Sequence, residues 1–217
     1  MLPKVKICCI ANLEEAKIAI QSGASAIGLV GNMPSGPGII SDEKIHSIAK
    51  NIPPHIDTFL LTSETDAQNI INHHKKTNTN TIQLVDHVNP ETYQELKLKI
   101  PGVKLVQVIH VIDQKAIDKA VMISGFVDAI LLDSGNPNLK IKELGGTGRT
   151  HNWDISKEIV QQSKKPVFLA GGLNPENIRK AIDYVKPYGV DICSGVRTHG
   201  KLDLQKLQLF FTEIKKL

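Results

Sequence analysis

Short β-branched runs alternate with amphipathic segments along the whole chain, eight of each. The strand-like runs are Val5–Ile10, Ala26–Val30, Thr58–Leu61, Thr81–Val85, Leu105–Val111, Ala129–Leu132, Val167–Ala170 and Val190–Cys193. The helix-like segments are Glu14–Gln21, Asp42–Ala49, Ala67–Lys75, Glu91–Lys99, Gln114–Ser124, Ile155–Gln162, Glu176–Tyr184 and Leu204–Lys216. Ser41 is suited to cap the second helix. Pro90 and Pro175 stand just ahead of the fourth and seventh, where a ring-fixed φ is tolerated. Such alternation builds a parallel sheet, either open and doubly wound or closed into a barrel. An open dinucleotide fold wants a glycine fingerprint in its first βα turn. Here strand one ends Ile7-Cys8-Cys9-Ile10-Ala11-Asn12, with no glycine. The expectation is a (β/α)8 barrel filling residues 1–217 as one domain.

The glycines come late instead. Two buried-strand runs between Val167 and Val196 end in Ala170-Gly171-Gly172 and Ser194-Gly195. In such barrels the loops after strands 7 and 8 commonly bind phosphate through backbone N–H groups. Glycine suits that task because a Cβ keeps the backbone away from phosphate oxygens. A phosphorylated small molecule is therefore the expected ligand. Two longer loops, Gly31–Gly38 after strand 2 and Asp133–Asn152 after strand 6, fall on the same catalytic face.

Composition removes several classes of function. The net charge is +4, with Lys and Arg scattered, so no nucleic-acid face is expected. No apolar window approaches the length of a membrane span. The three cysteines, Cys8, Cys9 and Cys193, have no disulfide-framework spacing, and the N-terminus has no long apolar run. A reduced, cytoplasmic protein is expected. Aromatic residues make up 4% of the chain, so the core should be aliphatic.

Several residues could carry chemistry. Cys8, at the end of strand 1, reads either as a base or nucleophile with a lowered pKa or as a small buried apolar residue. Cys9 should point to the opposite side of the strand and serve packing; Cys193 reads as barrel lining. Asp133 follows the apolar run Ala129–Leu132. It reads either as a general acid raised by burial or as a turn aspartate bonded to the backbone that follows. Gly145–Thr150 lacks the lysine of a P-loop, and Arg149 within it is either an anion contact or solvated. His110, at the end of strand 5, is a ligand-binding or a structural histidine. His73 and His74 sit on a polar helix and are expected at the surface. No His, Cys, Asp or Glu cluster has metal-ligand spacing.

Together these residues resemble the phosphoribosylanthranilate isomerase family. The similarity runs through Lys6-Ile7-Cys8 with Ile10, Ile82-Gln83-Leu84, and Leu131-Leu132-Asp133 with Gly145–Gly148 and Trp153. It continues through Leu169–Asn177, Gly189-Val190-Asp191 and Ser194-Gly195-Val196. The resemblance implies a cofactor-independent Amadori rearrangement of N-(5'-phosphoribosyl)anthranilate, part of tryptophan biosynthesis. It implies Cys8 as general base and Asp133 as general acid. It implies a phosphate site at Gly171, Gly172, Ser194 and Gly195.

Four departures from the family pattern cluster on the catalytic face. Gly38 stands where the family has an arginine for the anthranilate carboxylate. Cys9 replaces a glycine, and Val85-Asp86 replace His-Gly. Arg197 stands where glutamate is common, while His110 replaces a small residue. Arg149 or Arg197 is the expected replacement for the missing carboxylate partner, with His110 a further substrate contact. A paralogue acting on another phosphorylated sugar-amine, and a non-catalytic binding barrel, are the rival readings. Monomer and homodimer are both compatible with the sequence.

Overall fold

The structure, a computed structural model, describes residues 2–216. Its strands are β1 (Lys4–Ile7), β2 (Ala26–Val30), β3 (Asp57–Thr62), β4 (Thr81–Leu84), β5 (Lys104–His110), β6 (Ala129–Asp133), β7 (Val167–Leu169) and β8 (Gly189–Ile192). The helices between them are α1 (Leu13–Ser22), α2 (Asp42–Ala49), α3 (Ala67–Thr77), α4 (Pro90–Lys99), α5 (Lys115–Ile123), α6 (Trp153–Gln162) and α7 (Ile178–Val185). A short hairpin, β9 (Arg197–Thr198) and β10 (Lys201–Leu202), precedes α8 (Leu204–Lys215). Each of the first seven strands pairs in parallel with the next, and β1 pairs with β8, so the barrel closes. The fold is the (β/α)8 barrel expected from the alternation.

Local chemistry explains the elements. β2 and β6 are buried along their whole length, as strands covered on both faces must be. α7 places Ile178, Ala181, Ile182 and Val185 at helical spacing on one buried face. Side chains of Asn12, Asp66, Asn152 and Asp203 accept first-turn N–H groups of α1, α3, α6 and α8. The main core lies between strands and helices. A second, inside the barrel, includes Phe59, Leu61, Val106, Val108, Leu131 and Phe168.

Three features differ from expectation. β1 stops at Ile7 because Cys9 has φ 61°, in the left-handed region, which breaks the strand before Ile10. β9 and β10 carry no alternating signal long enough to read. His73 and His74 are not surface residues. His73 bridges Thr62 Oγ1 at 2.9 Å and Asp42 Oδ1 at 3.0 Å, and buried His74 contacts Thr79 O through Nε2 at 2.7 Å. They tie α3 to its neighbours. No described helix is long and apolar enough to cross a membrane.

The loops after β2 and β6 meet over the open end of the barrel. Ser35 Oγ donates to Lys142 O, and Lys142 pairs with Asp86 beyond β4. The β6 loop is stiffened by an antiparallel bridge between Asn136 and Glu143.

Candidate active site

The strand ends and the two loops enclose a cavity of about 650 Å³, mouth included. Cys8 stands just past β1, its N–H donating to Ile192 O at 2.8 Å, and is 5% exposed. Asp133 closes β6 at 8% exposure, and both side chains line the cavity. The arrangement therefore brings the expected base and acid together.

Their surroundings push their proton affinities in opposite directions. Burial raises the Asp133 carboxyl to about 6, with the Asp191 charge adding to it and the Ser134 N–H, donating at 2.7 Å, opposing. The Cys8 thiol is lowered, chiefly by a hydrogen bond from Cys9. Burial opposes that shift and the Lys6 ammonium assists it. Lys6 is fully buried, lies 5.1 Å from the Phe59 ring centre, and is held charged by Asp191 at 2.8 Å. A Cβ added at Gly28 would meet Cys8 Sγ at 2.8 Å and Lys6 Cε at 3.1 Å, so thiol and ammonium stem crowd the same spot. The ion pair thus presents a cation to Cys8 and an anion to Asp133.

Strand-based reasoning did not single out Lys6, Asp191 or Gln83 as site residues. Lys6 and Asp191 are cross-strand partners on β1 and β8. Asp191 Oδ1 and Gln83 Oε1 are buried without a hydrogen-bond partner among the described residues, and both residues line the cavity. A charged or amide residue inside a run of buried strand residues was the signal available for all three.

At the other end, Gly171, Gly172 and Ser194 line the cavity, with Gly195 one residue behind. Among the described residues no backbone acceptor takes the N–H groups of these four. Gly172 has φ 62°, and a Cβ there would fall 2.6 Å from the Arg149 carbonyl carbon, so the β6 loop seats directly on this turn. Ser194 opens a short 3-10 turn, Ser194–Val196. Free N–H groups converging at a helical turn form an anion cradle.

The other expected contacts fall elsewhere. Cys9 does not face away: its left-handed backbone turns it into the cavity beside Cys8. Cys193 also lines the cavity, its Sγ 2.6 Å from Cys9 Sγ. Arg149 does not reach the cavity; its guanidinium is largely exposed and pairs with Glu143. Arg197 is buried and committed to protein groups. It donates to Glu15 Oε2 at 3.1 Å, Gly200 O at 3.0 Å, Cys8 O at 3.2 Å and Cys9 O at 2.6 Å. It anchors the backbone that carries the thiols. His110 packs outside the lining, Nε2 against Val85 O at 3.0 Å, and burial lowers its pKa. No lysine or arginine lines the cavity among the described residues. None of them forms a group of three or more His, Cys, Asp or Glu arranged to hold a metal.

Residues 5–213 match the family model for N-(5'phosphoribosyl)anthranilate (PRA) isomerase. The chain belongs to this family. A relative from Methanocella arvoryzae, an N-(5'-phosphoribosyl)anthranilate isomerase, is 34% identical over 99% of both chains. The phosphoribosyl anthranilate isomerase structure from Thermotoga maritima superposes with a TM-score of 0.85 at 30% identity, covering both chains fully. A further solved isomerase is bound to reduced 1-(o-carboxyphenylamino)-1-deoxyribulose 5-phosphate. It gives a TM-score of 0.82 at 28% identity, again over both whole chains.

Proposed function

We propose that this family member catalyses the Amadori rearrangement of N-(5'-phosphoribosyl)anthranilate to 1-(2-carboxyphenylamino)-1-deoxyribulose 5-phosphate, a step of tryptophan biosynthesis in the cytoplasm. The observation that carries the proposal is the pairing of Cys8 and Asp133 in one cavity, with their pKa values moved in the directions the reaction needs. The whole chain acts as one barrel unit.

Asp133, protonated, donates to the furanose ring oxygen, and the ring opens to a Schiff base. Cys8 thiolate removes the C2 proton, and the enol relaxes to the ketone. The N–H groups of Gly171, Gly172, Ser194 and Gly195 hold the phosphate. Gln83 Oε1 and Asp191 Oδ1 accept from the ribose hydroxyls, which supplies the partners those buried acceptors lack. The aromatic ring rests against the apolar wall of Val30, Met33, Leu61, Val85 and Leu144.

Loss of the fluorescent substrate on adding purified protein tests this directly. Cys8→Ala and Asp133→Asn should each lower kcat by about 10²–10⁴-fold. Unchanged turnover in either variant removes that residue from the chemistry. A second reading rests on the absence of a lysine or arginine from the cavity lining among the described residues: a phosphoribosylamine with an uncharged aglycone. A higher kcat/KM for an aniline than for an anthranilate substrate would favour it.

A further inference from the structure

The proposed reaction takes a proton to only one of the three thiols on the cavity wall. The other two, Cys9 and Cys193, face each other with their sulfurs 2.6 Å apart, although 184 residues separate them in sequence. Their contact is built into the backbone. Cys9 adopts the left-handed conformation that aims its side chain at Cys193. Arg197 Nη2 holds its carbonyl at 2.6 Å. A Cβ at residue 38 would lie 2.6 Å from Cys9 Cβ and 3.1 Å from Cys9 Sγ, so the glycine there leaves room for the thiol. Cys193 is half-buried on the cavity wall, within reach of a small oxidant.

We propose that Cys9 and Cys193 form an oxidative modification site, which a hydroperoxide converts into a disulfide on the cavity wall beside Cys8. Cys193 thiolate attacks one peroxide oxygen. An S–O bond forms, the O–O bond breaks, and the departing oxygen leaves as water or an alcohol. Cys9 sulfur then attacks the Cys193 sulfenic acid. The S–S bond forms, the S–O bond breaks, and a second water carries away the hydroxyl with the Cys9 proton. Two thiols and one hydrogen peroxide thus give one disulfide and two waters. The bridge consumes the Cys9 S–H, which otherwise lies 3.6 Å from Pro37 O on the same cavity wall as Cys8. Cys8 loses a neighbouring S–H that favours its thiolate, so the thiolate fraction falls. This last consequence rests on the isomerase reading; the bridge itself does not.

The test uses the full chain titrated with hydrogen peroxide, alkylated, and digested without reduction for peptide mapping by mass spectrometry. The expected product is a Cys9–Cys193 linked peptide with Cys8 still alkylated, reversed by dithiothreitol. Cys193→Ser and Cys193→Ala should both abolish the linked peptide. Oxidation lodged at Cys8, a Cys8–Cys9 link, or all three thiols alkylated after excess peroxide would each overturn the proposal. In the same samples kcat/KM should fall roughly tenfold as bridging completes and return on reduction. Full bridging with unchanged kcat/KM would overturn the coupling to Cys8. Reduced protein without any turnover would count against the isomerase reading and leave the peptide map to decide the bridge.

Discussion

At the scale of single residues, burial makes the ionised form of Asp133 costly. Its carboxyl is raised from 3.8 to about 6, so the native state binds its proton more tightly than the unfolded chain does. Its stabilising contribution is complete below pH 3.8 and is lost as the pH rises through about 6. Asp133→Asn, always neutral, should therefore gain on the parent by roughly 2 kcal/mol between pH 4 and pH 8. Urea unfolding at the two pH values measures this; a constant difference would mean an unshifted carboxyl. Position 38 makes a second test. Gly38→Ala meets both a φ of 81° and the Cys9 side chain. It should cost roughly 2 kcal/mol in the parent and measurably less in a Cys9→Gly background. Additive losses in a double-mutant cycle would deny the contact. The ends of two buried runs marked Cys8 and Asp133 as candidates, and only the family resemblance separated a catalytic from a structural reading of each. Cys9 was not marked, because strand alternation assumes a β backbone and its φ of 61° inverts the side chain's direction.

At the scale of elements, the order of the eight barrel strands and the eight helices was readable, since short β-branched runs alternate with longer amphipathic segments, whereas the β9–β10 hairpin was not. Nor could it be read where a charged side chain finds its partner. Arg197 was expected, as an alternative to Arg149, to replace the arginine that the family uses for the anthranilate carboxylate. Its partner Glu15 lies 182 residues away, on α1, a proximity set only by barrel closure. Together Arg197 and Glu15 join β9, the start of α1 and the end of β1. Glu15 also accepts the N–H of Ala11 and of Leu202. Arg197→Ala leaves this carboxylate without its cation and should cost about 3 kcal/mol. It should also lower kcat more than it raises KM, because the guanidinium holds the carbonyls of Cys8 and Cys9. Chemical denaturation and steady-state kinetics on one preparation read both. A selective rise in KM with stability intact would restore Arg197 to the substrate.

At the scale of the whole molecule, the site is assembled from strands β1 to β4 and β6 to β8, or the residues just beyond them, and roofed by two loops. A ligand that fills the phosphate cradle should therefore protect distant stretches of the chain together. Hydrogen exchange with inorganic phosphate present should slow at Gly171–Leu173 and at Ser194–Gly195, and also in the 145–150 segment that seats on Gly172. Slowing confined to one of these turns would argue against a shared cradle. The Lys6–Asp191 pair extends the same logic to how the molecule comes into being. During synthesis Lys6 leaves the ribosome before Asp191 does. The carboxylate that makes its burial tolerable follows 185 residues later. Until then β1 has nowhere to bury its ammonium, so a chain still in synthesis has reason to keep its first strand in water and to close the barrel last.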